Sequence, residues 1–119
     1  FKGLEHRLEY VRTARGVDFV NDSKATTVSS VTWALRSLNG RIRLIMGGRY
    51  KGGDFKELSY LVREKVDSVV VIGEAGPMVK KALGPFREVI QEDTLAGAVH
   101  SAFKDACKGD KVLFSPGCS

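Results

Sequence analysis

The chain has 119 residues, 43% hydrophobic and 28% charged, enough for one domain with a core of its own. Its two cysteines, Cys107 and Cys118, exclude a disulfide scaffold and argue against a cysteine-built zinc site. No apolar run approaches the roughly 20 residues of a bilayer span, and Lys+Arg 19 against Asp+Glu 14 gives a formal charge of +5, a balance that suits phosphate-bearing ligands.

The basic residues are scattered, so a solvated surface explains most of them. No run of stacking aromatics accompanies them, so nucleic acid is not an expected partner. No cleavable leader pattern opens the chain, and a cytoplasmic protein is expected.

In chain order, Glu9–Thr13 and Val17–Val20 read as two strands joined by a turn at Arg15-Gly16. Thr26–Leu38 reads as a helix, with Val28, Val31, Leu35 and Leu38 at helical spacing and Asn39-Gly40 as its stop. Arg41–Met46 is a buried strand followed at once by Gly47-Gly48. Asp54 caps a helix to about Lys65, with Glu57 placed as in a capping box.

Ser68–Ile72 is apolar enough for a strand covered on both faces. Pro77 opens a short helix that stops at Gly84, and Glu88–Gln91 is a weaker strand. Thr94–Cys107 is a helix with Leu95, Val99, Ala102, Phe103 and Ala106 on one face. Lys111–Phe114 is the last strand. A hairpin followed by alternating helices and strands predicts an α/β fold, a mostly parallel sheet with helices on both faces.

Ligands of such sheets bind beyond the carboxyl ends of the strands. Three strand exits carry chemistry. Asn21-Asp22-Ser23-Lys24-Ala25-Thr26-Thr27 opens a helix whose amides attract anions, and Lys24 with two Thr hydroxyls suits a phosphate or carboxylate. Plain capping by Ser23 or Thr26 explains part of the same run equally well.

Gly47-Gly48-Arg49-Tyr50-Lys51-Gly52-Gly53 surrounds two cations with four glycines. It matches neither a Walker A loop nor the Gly-x-Gly-x-x-Gly fingerprint, so nucleotide binding does not follow from it, and Lys51 reads as an anion ligand. Ser115-Pro116-Gly117-Cys118-Ser119 is the third exit, where thiol catalysis lacks a base. Near the start, Arg7 has the fork of donors for a phosphate, with an ion pair to Glu5 or Glu9 as the plainer reading. No cluster has metal-ligand spacing.

Together these segments, with Gly3-Leu4-Glu5-His6-Arg7-Leu8-Glu9, occur in one order across nearly the whole chain. In that order they resemble the C-terminal domain of the Mur ligases, and within that family the D-glutamate-adding branch. The resemblance implies a Rossmann-like fold with an N-terminal hairpin. It also implies that residues 1–119 are one domain of a longer enzyme, without its N-terminal and central domains and without a last C-terminal segment.

In such an enzyme the implied partners are ATP with Mg2+, UDP-N-acetylmuramoyl-L-alanine and D-glutamate. Neither cofactor is expected to be held by this domain alone. Residue by residue, Arg7 and His6 would reach the ATP phosphates, Asp22 the ATP ribose, and Lys24 the nucleotide and the reaction centre. Thr26 and Lys51 would hold a D-glutamate carboxylate. Two other readings remain at this point: the same domain of a folylpolyglutamate-type ligase, or a stand-alone basic module for nucleotide or RNA.

Overall fold

The structure is a computed structural model that describes residues 8–50 and 52–118. Six strands form one sheet in the order β1-β2-β6-β3-β4-β5. They are β1 (Glu9–Ala14), β2 (Val17–Asn21), β3 (Ile42–Gly47), β4 (Val66–Ile72), β5 (Val89–Gln91) and β6 (Lys111–Phe114). Among the described residues only the β1–β2 hairpin is antiparallel; every other pairing is parallel.

Alternation along each strand sorts side chains between two faces. Leu44, Met46, Val69, Val71 and Leu113 point to one core. There they meet Val31, Ala34 and Leu35 of α1 (Val28–Ser37), Val62 of α2 (Ser59–Lys65), and Val79 and Leu83 of α3 (Gly76–Leu83). Ile45, Val70 and Val112 point the other way, onto Ala98 and Ala102 of α4 (Leu95–Lys104). Three helices therefore cover one face and one helix the other.

This asymmetry follows from the path of the chain. It steps outward through β3, β4 and β5 with α1, α2 and α3 on one side. It then reverses, and crossovers of one hand place α4 on the opposite face. The returning strand β6 enters the gap between β2 and β3.

Several element ends differ from the sequence expectation. Thr27 rather than Thr26 caps α1: its side chain accepts from Ser30 N at 3.1 Å. Asp54 does cap, accepting from Lys56 N at 3.0 Å, but it opens a 3-10 turn at Phe55–Leu58 before α2 begins. The capping box with Glu57 is not formed; the Glu57 amide goes to the Asp54 carbonyl instead. β4 begins two residues early, at Val66, which pairs with Ile42 of β3; beside it Arg41 Nε donates to Asp67 Oδ1 at 2.8 Å.

The apolar face read onto α4 is only half covered. Ala102 is buried, but Leu95 is 43% exposed, and Leu95, Val99 and Phe103 line a groove of about 690 Å³ with Phe19 and Phe114. No helix among the described residues is long and apolar enough to cross a membrane.

Candidate functional site

The strand order brings the three chemical exits together. β2, β6 and β3 are neighbours, so their carboxyl ends open side by side at one edge. Backbone hydrogen bonds then bind the exits to each other. Asp22 N donates to Phe114 O at 2.8 Å, and Gly117 N donates to Ala25 O at 2.7 Å, joining the exits of β2 and β6. Gly47 N donates to Pro116 O at 3.0 Å, joining the exits of β6 and β3.

The Ser115–Cys118 loop is the middle piece. All four residues are buried. The space around Gly117 is closed by Met46, Val31 and Phe55. Burial pushes the Cys118 thiol up from its ordinary range, so it stays protonated near neutrality, a poor state for a nucleophile. This loop places its neighbours rather than a reagent of its own.

On the β2 exit, Asn21 Oδ1 accepts from Ser23 N at 3.0 Å, folding the chain into a local turn. That turn leaves Lys24 exposed and Thr26 half-buried just ahead of α1. The capping explanation for Ser23 and Thr26 lapses, because Thr27 performs that task. Asp22 behaves differently from its neighbours: it is only 4% exposed, and its Oδ2 accepts from Ser115 Oγ at 3.2 Å. A cavity of about 310 Å³ lies beside this exit, lined by Leu8, Glu9, Asn21, Ser23 and Lys24.

On the β3 exit, Gly47 and Gly48 have φ of 124° and 126°. The loop they start is braced by Tyr50, whose hydroxyl donates to Gly53 O at 2.8 Å and whose ring lies 5.8 Å from that of Phe55. Arg49 is 80% exposed and faces Glu74 at 3.9 Å. Lys51, His6 and Arg7, the other residues read as ligands, lie outside the described residues.

The opposite edge of the sheet is chemically quiet. There Arg43 lies 3.9 Å from Asp67 and 3.8 Å from Asp110, and Lys111 lies 4.0 Å from Asp18. Its charges are mutually compensated. Among the described residues no group of three or more His, Cys, Asp or Glu could hold a metal ion.

Comparison with known proteins decides the family. The model of the Mur ligase, glutamate ligase domain matches residues 6–118. The chain belongs to the Mur ligase family. It is 46% identical, over all 119 residues, to a UDP-N-acetylmuramoylalanine--D-glutamate ligase of Chloroherpeton thalassium, of which it covers 25%. It is 48% identical over the same span to the ligase of that name in Chlorobium luteolum, covering 26%.

The chain thus spans about a quarter of the length of these curated relatives. Two solved structures share the fold of this Mur ligase domain. One is a domain of a putative UDP-N-acetylmuramate:L-alanyl-gamma-D-glutamyl-medo-diaminopimelate ligase from Haemophilus ducreyi. Its TM-score is 0.70 at 19% identity, with 93% of this chain and 88% of that one covered. The other is E. coli FolC in complex with ADP, with a TM-score of 0.66 at 22% identity, covering 96% of this chain and 28% of that one.

Proposed function

We propose that this domain belongs to a longer, cytoplasmic, ATP-dependent ligase that joins D-glutamate to UDP-N-acetylmuramoyl-L-alanine. The observation that carries the reading is the convergence of three exits at one edge, in a chain that aligns along its whole length with relatives named for that reaction. The domain supplies the D-glutamate site and part of the ATP site. Central and N-terminal domains of the same chain supply the rest.

The chemistry needs cations. A carboxylate is a poor electrophile, and transfer of the γ-phosphoryl of ATP converts it to an acyl phosphate, releasing ADP. The D-glutamate amine then attacks the acyl carbon and loses a proton, and the C–O bond to phosphate breaks as phosphate departs with the electron pair. Negative charge gathers on oxygen in both steps, and a fixed ammonium group offsets it.

Lys24 takes that role in this reading, which its exposure at the tip of the β2 exit, just ahead of α1, supports. Thr26, with Lys51, binds a D-glutamate carboxylate, one as a hydroxyl donor and the other as a point charge. Asp22 accepts from the ATP ribose, and Arg7 and His6 contact the ATP phosphates. Mg2+, when bound, would draw off phosphate charge.

The test is steady-state kinetics of the full-length ligase. Thr26→Val should raise KM for D-glutamate about tenfold, the loss of one hydrogen bond to a charged group, with KM for ATP within twofold. Lys24→Met should lower kcat by about 100-fold or more. Unchanged kinetics in both variants would overturn the reading. So would amide formation by the 119-residue chain alone.

A further inference from the structure

Asp22 and Ser115 stand 93 residues apart in sequence, yet form a buried pair. Asp22 is 4% exposed and Ser115 is 0% exposed. Their backbones are already fixed. Asp22 N donates to Phe114 O, Ala25 N donates to Asp22 O at 2.9 Å, and Ser115 N donates to Ile45 O at 3.0 Å. What the backbone leaves to be set in Asp22 is the orientation of its carboxylate about the side-chain torsions. The Ser115 hydroxyl, donating to Oδ2, limits that rotation.

An aspartate that reads a ribose must present an oxygen to a hydroxyl in one orientation. A carboxylate has about four acceptor positions, and the donor from Ser115 takes one and helps to fix the orientation of the group. A buried hydroxyl is an expensive way to fill space, and alanine would fill the same volume here almost as well. The hydroxyl is explained by the bond it makes. That bond also crosses from β2 to β6, so it couples the aspartate to the loop that supports the glycine-rich exit of β3.

We propose that Ser115 is a positioning residue that sets the Asp22 carboxylate for recognition of the nucleotide ribose. This rests on the assignment of Asp22 to the ribose. Ser115 is fully buried, so it acts through Asp22 rather than on the nucleotide.

The test uses the full-length ligase and compares ATP with 2′-deoxy-ATP and 3′-deoxy-ATP in four proteins: wild type, Asp22→Asn, Ser115→Ala and the double variant. Ser115→Ala should raise KM for ATP about 3- to 10-fold, with kcat within twofold. It should also shrink the KM preference for ATP over at least one deoxy analogue. The double variant should discriminate no worse than Asp22→Asn alone, because both changes remove one interaction. Ser115→Thr, which keeps the hydroxyl, should retain discrimination, and a urea midpoint without nucleotide separates this from loss of fold.

If Ser115→Ala raises KM equally for all three nucleotides, or leaves every KM unchanged, Ser115 does not position Asp22 and the proposal falls. If Asp22→Asn leaves discrimination unchanged, the assignment of Asp22 to the ribose fails, and the proposal fails with it.

Discussion

Replacing Gly47 by alanine tests the geometry that joins β3 to the site. Gly47 closes β3 with φ of 124°, a backbone conformation that L side chains rarely adopt. A Cβ there would lie 2.0 Å from the Ile72 carbonyl oxygen, 2.7 Å from Ile72 N and 2.9 Å from Ile72 C. All three are backbone atoms of β4, so no rotamer change relieves the collision. The strained dihedral costs about 1–3 kcal/mol. Separating the strands also breaks the bond from Gly48 N to Ile72 O, worth about 1 kcal/mol.

Together these give about 2–4 kcal/mol, a large share of the 5–15 kcal/mol that holds a typical domain. With a urea slope of about 2 kcal/mol/M, the unfolding midpoint of the 119-residue chain should fall by about 1–2 M. Gly52→Ala is the control. Gly52 has φ of 105° but nothing within 4 Å of its added Cβ, so only strain applies and the midpoint should fall by about 0.5–1.5 M, about 0.5 M less than for Gly47→Ala. Equal shifts in the two variants would refute the argument, because the collision with β4 would then contribute nothing.

Other expectations follow from the same geometry. Thr27→Ala and Thr94→Ala remove the N-caps of α1 and α4 and should each cost about 1 kcal/mol in denaturant unfolding. The Lys65 ammonium donates to the Leu35 and Leu38 carbonyls at the end of α1; Lys65→Met should cost about 1 kcal/mol by the same assay. In thiol labelling at pH 8, exposed Cys107 should react promptly and buried Cys118 only on unfolding.

The pH dependence of Cys118 has a definite sign. Burial raises its pKa in the fold above the ordinary value of 9.0. Its contribution to stability is therefore complete below pH 9.0 and is lost as pH rises through the higher folded value. Urea midpoints should fall between pH 8 and pH 10, and Cys118→Ser, which does not titrate there, should fall less. Identical profiles would show that the thiol is not the titrating group.

Local pattern made most elements legible. The spacing of Val28, Val31, Leu35 and Leu38 marks α1, and all four are buried. The run Val69-Val70-Val71 marks a doubly covered strand, and each residue is 0% exposed. The α/β class and the three exits were equally readable, because glycines and hydroxyl residues punctuate strand ends. Strand order was not. Nothing local in Lys111–Phe114 says that it pairs with both β2 and β3.

The burial of Asp22 was invisible for the same reason: its partner Ser115 lies 93 residues away. Two adjacent threonines made the cap of α1 ambiguous by one residue. For α4, apolar spacing did mark the right side chains, but coverage depends on a neighbour, and Leu95 faces an open groove.

The place of β6 has a consequence for how the domain comes into being. On a ribosome, the residues of the β1–β2 hairpin and of β3, β4 and β5 are synthesised before β6, the strand that lies between the two groups. The edge of β3, Leu44-Ile45-Met46, is an apolar template that invites wrong partners. Lys111–Phe114 heals both edges in one event and brings Ser115 against Asp22 in the same step. A nascent chain therefore has no premature half of this site: the edge that binds and the sheet that holds it are completed together.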